Sequence, residues 1–476
     1  MAEGSGKEAA GAAAEDGAGA LAAQAARWLA SVGWEDLPGD VREATRLRIL
    51  DVIGVVLAAN DTEVGRGVRA AAVGLGGGGA SSILGSGERV SPAAAALANG
   101  TMASALDFDD THNETVIHFS SPTVVTALAL AEAGGQDAGA VMTAVAAASE
   151  LTCRFGLIAP GQFHKRGFHA SAIASAFGAT LAAGKLLGLS AEEITHALGI
   201  AGSQAAGIAE SWNDGTTVRF VHTGWAAQSG IAAALMARGG VTGPARVIEG
   251  SRGLYATHIQ NPEPPLRFER FLAGLGEAWE LRRTSYKPYP CGHVIHSFID
   301  AALHLYHAEG LRADMVERIV CPVADYMLPM VCEPAREKVA PASDTVARVS
   351  LQYTIAEALA TGALDARSYR PETMADPAVL DLARRVECVV DPDAPGRQQY
   401  RGWVKVHTRD GRLLERVEAF NRGSAERPLS VDEIRGKFLL NASLVLDEAR
   451  AEEVAGRVER LSGDADVAAL VRACCR

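Results

Sequence analysis

Apolar residues recur at spacings of three and four through most of the first 276 residues, a pattern typical of helices that bury one or more faces. It predicts helices over residues 41–59, 93–106, 122–133, 138–157, 170–187, 191–206 and 225–238. Ser190, followed three residues later by Glu193, predicts a capping box at one helix start. β-branched residues are sparse here, so we expect no large sheet, and we interpret the glycine-rich residues 74–78 as a flexible loop.

The pattern changes near Ser285. Strands are predicted over residues 315–327, 385–390, 402–408 and 413–420, and Asp410-Gly411 between the last two indicates a hairpin. Helical spacing over residues 294–309 and 346–361 falls among these strands, so the sequence predicts an α+β region there. From Ser430 the helical spacing returns, and we expect this last segment to pack back on the first helical body.

Composition and charge exclude several classes of protein. The net charge of −12 argues against a nucleic-acid-binding protein, which needs a basic surface. No uninterrupted apolar run reaches the ~20 residues of a membrane span. Residues 1–18 lack the basic start and apolar centre of a signal peptide, so we interpret them as a disordered tail and the protein as cytoplasmic. The seven cysteines are scattered without C-x-x-C, which predicts neither a disulfide framework nor a zinc site.

The candidate chemistry centres on Asp107-Phe108-Asp109-Asp110-Thr111-His112, which ends a predicted apolar helix and is followed by His118. Buried carboxylates must be paired, protonated or bound to a ligand. A nearby imidazole can transfer a proton near neutral pH, and carboxylates tune its pKa. The cluster therefore predicts the floor of an active site; the alternative is a helix end with solvated acids.

Three later segments supply cations and further imidazoles. His169 precedes a predicted helix, whose N-terminus attracts anions. Arg219 offers a two-pronged donor for a carboxylate, and His222 lies three residues beyond it. Lys287 precedes a Pro-x-Pro segment that stiffens the backbone, where its amine can bind an anion or act as a base.

Two weaker candidates lie in the α+β region. Cys291 can be interpreted as a nucleophile with His293 or His296 as its base, or as a wall residue; we prefer the wall, since nothing else indicates acyl transfer. Tyr326 lies at the end of the first predicted strand there. No phosphate-binding loop, dinucleotide fingerprint or H-E-x-x-H is present, so proton chemistry without a cofactor or a metal is the reaction class left. The cations and imidazoles of the later segments suit a small molecule with two or three carboxylates.

In this order, the segments resemble the MmgE/PrpD family, whose members include 2-methylcitrate dehydratase, cis-aconitate decarboxylase and iminodisuccinate epimerase. The resemblance extends from about residue 25 to residue 461. It is carried by LDVIGVVLAA (50–59), ANGTMASALDFDDTH (98–112), GFHASAIASAFGATLAAGKLLGLS (167–190), GWAAQSGIAAALMARGGVTGPARVIEGSRGLY (224–255) and SYKPYPCGHVIHSFIDAA (285–302).

The resemblance implies a mainly α fold with two domains. A large all-helical domain would form from both chain ends, residues 19–284 and 425–476, and a smaller α+β lid from residues 285–424. The active site would lie in the cleft between them. The resemblance also implies a homodimer that needs no organic cofactor.

The resemblance implies roles for Asp107, Thr111, His118, His169, Lys287 and Tyr326, and residue chemistry adds Arg219, His222 and Cys291. The expected catalytic residues are His118, Asp107 and Lys287, and the expected substrate-binding residues are Thr111, His169, Arg219, His222, Tyr326 and Cys291. Two features depart from the family pattern: Arg219 replaces a lysine, and two His-Pro pairs become His118-Phe119 and His222-Thr223. We expect Phe119 to narrow or reshape the pocket and favour a specialised substrate.

The sequence therefore predicts a cofactor-independent lyase of the dehydratase type that acts on a small di- or tricarboxylate. Lys287, Arg219 and His169 would hold carboxylates, while His118 transfers a proton and Asp107 orients it or takes part. Decarboxylation of the cis-aconitate type and epimerisation of the iminodisuccinate type stay open, because all three reactions share a carbanion-like stage.

Two remote alternatives have different chemistry. Asp107 to Asp110 fits the D-x-D-D pattern of terpene cyclases, although an aromatic content of 5% is poor for stabilising carbocations. A non-catalytic binding homologue is the other alternative.

Overall fold

A computed structural model describes residues 19–396 and 399–476, so the predicted tail over residues 1–18 lies outside the described residues. The protein is mainly α-helical, as predicted. Along the chain the α-helices are α1 (Leu21–Ser31), α2 (Gly39–Ala59), α3 (Glu63–Gly76), α4 (Pro92–Ser104), α5 (Ser120–Gly134), α6 (Ala138–Leu157), α7 (Gln162–Lys165), α8 (Ala170–Leu186), α9 (Ala191–Gln204), α10 (Ser211–Asp214), α11 (Val218–Arg238), α12 (Leu254–Ile259), α13 (His296–His307), α14 (Ala335–Val339), α15 (Asp344–Ala347), α16 (Leu351–Thr361), α17 (Pro371–Met374), α18 (Pro377–Ala383), α19 (Val431–Ala442), α20 (Glu448–Glu459) and α21 (Val467–Ala473).

The strands are short and form small sheets. They are β1 (Gly77–Ser82), β2 (Arg89–Val90), β3 (Thr111–His112), β4 (Thr284–Ser285), β5 (Val316–Val323), β6 (Val386–Val390), β7 (Gly402–Thr408) and β8 (Leu413–Glu418). The last four form one sheet in the order β6-β5-β7-β8, in which β5 and β6 run parallel and the other pairs antiparallel. The four strands predicted in the α+β region, and the hairpin at Asp410-Gly411, are confirmed to within a few residues.

The buried residues form two hydrophobic cores. The larger body has a core drawn from residues 22–281 and 438–474, and the smaller body has one from residues 289–406. The C-terminal segment packs back on the first helices as expected, since Phe438 of α19 lies against Gly54 of α2. The domain boundaries at 284/285 and 424/425 stay predictions.

Helices α6 and α8 run through the larger core and are buried almost all round. Their abundant alanine, glycine and serine let neighbouring helices approach closely. Helix α6 is long and apolar enough to cross a membrane by composition, but 94% of its apolar window is buried inside the protein, as in a core helix.

Two predictions about the first half of the chain are wrong. Residues 74–78 are not a flexible loop, because α3 continues to Gly76 and β1 begins at Gly77, where it pairs with β2. Helix α11 begins at Val218 rather than at residue 225, so Arg219 and His222 lie in its first turns. The polar and β-branched residues before Gly224 hide the helical spacing, and tertiary packing overrides that weak local signal.

The crossing of α4 and α11 depends on two glycines. A Cβ atom on Gly224 would lie 2.2 Å from the carbonyl oxygen of Leu97, and one on Gly100 would lie 2.8 Å from the Cα of Gly224. Helix α4 ends just before Asp107, and α11 begins just before Arg219. This close contact therefore fixes the distance between two candidate site residues.

The larger and smaller bodies are joined beside the turn that follows α4 and contains Asp107. Strand β3 pairs antiparallel with β4, with Thr111 opposite Ser285. The buried guanidinium of Arg348 donates to the carbonyl oxygen of Leu106 at 3.1 Å and to that of Pro290 at 2.8 Å. The Asp107 turn is thus held from the smaller body as well as from the larger one.

We expect Gly224→Ala to lower the melting temperature, because the added methyl group must push α4 and α11 apart at a cost of about 1–3 kcal/mol. Gly67→Ala is the matched control: Gly67 lies inside α3, and an added Cβ would meet nothing within 4 Å. That change should stabilise the helix by about 0.5–1 kcal/mol. Calorimetry of both variants tests the crossing, and equal shifts in melting temperature would contradict it.

Candidate active site

Asp107 lies at the centre of an ion-pair network. Its carboxylate accepts from Lys287 Nζ at 2.5 Å through Oδ1 and lies 3.5 Å from Arg219 Nη1 through Oδ2. Lys287 Nζ also donates to the main-chain oxygen of Asp107 at 3.0 Å. Burial opposes ionisation, but the charges of Lys287, Arg219 and His118 outweigh it and hold the pKa of Asp107 well below its usual value.

Local backbone geometry turns Asp107 towards these cations. Its φ angle is 51°, in the left-handed region that aspartate tolerates better than most residues. Lys287 comes from the segment just after β4, and its side chain is only 1% exposed. The structure therefore brings together three candidates, Asp107, Arg219 and Lys287, from three distant segments.

His118 is held through Nδ1. This atom lies 3.0 Å from the main-chain oxygen of Asp110, 3.3 Å from Asp109 Oδ1 and 3.4 Å from Thr111 Oγ1. A carbonyl oxygen only accepts, so Nδ1 carries a proton and donates it. Nε2 is then the ring atom left to exchange a proton with a bound molecule. The main chain of His118 is held at the start of α8, where its N–H donates to Ser171 Oγ at 3.1 Å.

The carboxylate beside the His118 ring is that of Asp109, whereas we expected Asp107 to orient it. Asp109 is buried, and its other oxygen accepts from Ser121 Oγ at 3.0 Å. Asp107 stays near the ring but is engaged by Lys287 and Arg219. The sequence shows only adjacent acids; the turn of the backbone decides which one reaches the imidazole.

Asp110, the third acid of the motif, fixes the turn through contacts with Ser120 and Arg48. Asp110 accepts from Ser120 Oγ at 2.5 Å and pairs with Arg48, whose Nε lies 3.1 Å from Oδ2. Burial raises the pKa of Asp110 to about 7, although Arg48 opposes this shift. Phe119, which we expected to narrow the pocket, is fully buried and packs against the Arg48 guanidinium, 5.5 Å from the ring centroid. The side chain that departs from the family pattern therefore packs against Arg48 in the interior of the larger body.

Arg219 presents unsatisfied donors. Nε and Nη2 are buried and have no hydrogen-bond partner within residues 19–396 and 399–476, although the guanidinium lies 4.5 Å from the Phe220 ring centroid. Buried unpaired donors are costly and are rarely left without a partner. A guanidinium fork with two open nitrogens fits a carboxylate.

His169 and His222 form a neutral pair beside Arg219. Their Nδ1 atoms lie 3.0 Å apart, so one must carry a proton and the other a lone pair. Burial, followed by the charges of neighbouring groups including His164, holds the pKa of His169 well below its usual value, and burial also lowers the pKa of His222. At neutral pH His169 is thus an uncharged hydrogen-bonding group, and any contact with a carboxylate would be a hydrogen bond rather than an ion pair.

The two weaker candidates have different surroundings. Cys291 is fully buried, and burial raises the pKa of its thiol far above the usual range, although Lys287 opposes the shift. A thiolate nucleophile is therefore disfavoured, in agreement with a wall residue. Tyr326 lies in the turn Asp325–Met327 after β5, half-buried against the smaller core, and its place in the site stays a prediction.

His293 is a further candidate for the site. The sequence suggested it only as a base for Cys291, yet the ring is buried and lies within the electrostatic influence of Lys287 and His118. Its Nε2 atom lies 2.9 Å from Asn421 Nδ2. The available signal was the His-x-x-His pattern of His293 and His296 directly after the Lys287 segment.

One group of side chains could hold a metal by atom type. Ligand atoms of Asp107, Asp109 and His118 all lie within 4.8 Å of one another. Lys287 and Arg219 already pair with Asp107, and a divalent cation there would meet both positive charges. The arrangement therefore favours an anionic ligand over a metal ion.

Both parts of the chain match sequence models of one protein family. A sequence model of the MmgE/PrpD N-terminal domain matches residues 23–267, and one of the MmgE/PrpD C-terminal domain matches residues 289–461. A cis-aconitate decarboxylase from Aspergillus terreus is 28% identical over 469 residues, covering 93% of this chain and 94% of that protein.

Two mammalian proteins show about the same identity, over 80–91% of this chain. The cis-aconitate decarboxylase of Mus musculus is 28% identical over 455 residues, covering 91% of this chain and 89% of its own. That of Homo sapiens is 29% identical over 401 residues, covering 80% and 79%. With both family domains matched in order over most of its length, the chain belongs to the MmgE/PrpD family.

Proposed function

We propose that this protein is a cofactor-independent lyase that decarboxylates a small unsaturated tricarboxylate of the cis-aconitate type. The observation that carries the proposal is the Arg219 guanidinium beside the Asp107–Lys287 pair and near His118, with two buried nitrogens that meet no hydrogen-bond partner among the described residues. The names of the similar fungal and mammalian proteins favour decarboxylation over the dehydration that the sequence first suggested.

Two charged groups and two neutral imidazoles would bind the carboxylates of the substrate. Arg219 supplies a fork for one carboxylate, and the Lys287 ammonium adds a second positive charge in a buried setting. His169 and His222 add neutral hydrogen bonds, since burial lowers the pKa of both rings. Such a site suits a ligand with several carboxylates better than one with a single charge.

The chemistry requires an acid at the reacting carbon. When the C–C bond to the leaving carboxylate breaks, its electron pair stays on the carbon as CO₂ departs, and that carbanion must take up a proton. His118 can deliver it from Nε2 when both ring nitrogens are protonated, because the carboxylate of Asp109 lies 3.3 Å from Nδ1 and stabilises the imidazolium. After transfer the ring is neutral, with its proton on Nδ1.

Two effects would share the acceleration. General acid catalysis contributes about 10²–10⁴-fold. Lys287, fixed in place by Asp107 before the reaction, stabilises negative charge that spreads from the carbanion onto a neighbouring carboxylate.

The alternatives differ in what they demand of the same groups. Dehydration needs a base for the α-proton and an acid for the departing hydroxyl, and epimerisation needs proton transfer on both faces. Terpene cyclisation is disfavoured, because two acids of its D-x-D-D pattern, Asp107 and Asp110, are paired with basic residues.

A substrate panel in heavy water tests the proposal. We expect cis-aconitate to release CO₂ and give a product with one non-exchangeable deuterium, detected by NMR. Loss of water from citrate or 2-methylcitrate would favour the dehydratase alternative, and deuterium exchange on iminodisuccinate without a net reaction would favour the epimerase. No turnover of any of these acids would overturn the proposal.

His118→Ala should lower kcat by two or more orders of magnitude, because the carbanion loses its proton donor. His307→Ala is the control, since His307 is exposed at the end of α13 and should leave kcat unchanged. Steady-state kinetics with circular dichroism to confirm folding provides the measurement. Near-normal kcat in His118→Ala would remove this residue from the mechanism.

Arg219→Ala should chiefly weaken substrate binding and raise KM about 10–100-fold, the effect of losing charge-assisted hydrogen bonds worth about 1.5–3 kcal/mol. Arg238→Ala, an exposed arginine at the far end of the same helix, is the matched control. Kinetics and calorimetric titration separate the two parameters. A reduced kcat with unchanged affinity would contradict the binding role.

A further inference from the structure

Two buried imidazoles lie where the segment after Lys287 enters α13. The rings of His293 and His296 are 5.1 Å apart, and the Nδ1 atom of each has no hydrogen-bond partner in the described part of the chain. His293 is 6% exposed, whereas His296 is completely buried. An unpaired polar atom in such a place needs a ligand, a water molecule or another physical reason.

The contacts of Asn421 determine which nitrogen of His293 carries the proton. Asn421 Nδ2 lies 2.9 Å from His293 Nε2 and 3.4 Å from the main-chain oxygen of Arg422. Because that carbonyl can only accept, the amide presents its NH₂ group here and donates to Nε2. Nε2 therefore holds the lone pair, and the proton of the neutral ring lies on Nδ1.

His296 has the opposite polarity. Its Nε2 lies 3.2 Å from the main-chain oxygen of Cys291, so Nε2 is protonated and Nδ1 holds the lone pair. Burial lowers the pKa of both rings, that of His293 well below its usual value and that of His296 to about 3. Of the two buried Nδ1 atoms, only that of His293 is a donor.

His293 lies beside the candidate active site. The N–H of Gly292, the residue before it, donates at 2.8 Å to the main-chain oxygen of Arg348, whose guanidinium donates to the main-chain oxygen of Leu106 just before Asp107. The charges of Lys287, His118 and Asp107 all act on this ring. Asn421 itself is held from behind, because the N–H of the next residue, Arg422, donates to Asp300 Oδ2 at 2.9 Å. Asp300 is fixed in turn by the Tyr289 hydroxyl at 2.7 Å.

We propose that Asn421 is a positioning residue that holds His293 as a neutral Nδ1–H donor towards a carboxylate oxygen of the bound substrate. This inference rests on the proposed function. A neutral donor adds a hydrogen bond without adding charge, so it complements Arg219 and Lys287 and keeps its proton throughout the ordinary assay range. Asn421 acts only through His293 and does not touch the substrate.

Asn421→Asp tests the positioning role with an almost isosteric change. A carboxylate accepts from Nε2–H, which moves the ring proton to Nε2 and leaves a lone pair on Nδ1 facing the substrate carboxylate. We expect KM for cis-aconitate to rise about tenfold or more, the effect of losing a hydrogen bond to a charged group, with a smaller change in kcat. Asn60→Asp is the control: Asn60 is equally buried and loses a hydrogen bond to Leu84 O of 2.7 Å, but outside the site.

A double-mutant cycle separates tautomer control from the added negative charge. His293→Asn places an amide N–H near the former Nδ1 position, and an amide cannot change tautomer. In that background Asn421→Asp should raise KM much less than in the wild-type protein. An equal rise in both backgrounds would show that the new charge acts directly, which overturns the proposal.

NMR provides a readout that does not depend on turnover. In protein with ¹⁵N-labelled histidine, the His293 signals, assigned by their loss in His293→Asn, should show Nδ1–H in the wild type and Nε2–H in Asn421→Asp. An Nε2–H tautomer in an active wild-type protein, or unchanged KM in both single variants, would overturn the role of Asn421 alone. Failure of the wild-type protein to bind or convert any polycarboxylate would instead refute the proposed function and, with it, this ligand of His293.

Discussion

The buried ion pair between Asp107 and Lys287 is the constraint on which the remainder of the site depends. Removing an ammonium and a carboxylate from water costs several kcal/mol for each ion, and only a short, well-aligned contact offsets it. Here one ammonium binds both the side chain and the main-chain oxygen of Asp107. Loss of Asp107 would leave the buried Lys287 ammonium without its counter-ion, at a cost of about 3–5 kcal/mol.

This pair also distributes charge among the neighbouring groups. Asp107 uses its second oxygen for Arg219 Nη1, which leaves the remaining guanidinium nitrogens for a ligand. The surrounding imidazoles lose their protons because they are buried beside these cations. Positive charge is thus concentrated on Arg219 and Lys287, while Asp109 gives His118 a separate counter-ion.

The sequence predicts most of what depends on local patterns. The helices of the larger body, the capping box at Ser190 and the strands of the smaller body follow apolar spacing and turn residues, and the structure confirms them. The clusters around Asp107, Arg219 and Lys287 were also visible, because ionisable residues follow or interrupt apolar segments. The early start of α11 was missed, since its first turns lack an apolar stripe.

The sequence does not predict which side chains pair within the site. Whether Asp107 or Asp109 meets His118 depends on the path of the backbone from Asp107 to His118, in which Asp107 and Val116 are both left-handed. The contact between His293 and Asn421 joins residues 128 positions apart, so no local sequence pattern predicts it. The fold class therefore follows from periodicity, whereas hydrogen-bond partners follow from tertiary geometry.

The contact of Lys437 with the turn at Asp107–Asp110 has a consequence for biosynthesis. Lys437 of α19 pairs with Asp51 at 2.7 Å and donates to the carbonyl oxygen of Phe108 at 2.9 Å, a contact that spans 329 positions of the chain. At about 5–20 residues per second, a ribosome needs roughly 15–65 s to make that stretch. During this time Asp51 has no ammonium to neutralise it, and the nascent polypeptide must wait for its last helices before the turn at Asp107–Asp110 can close.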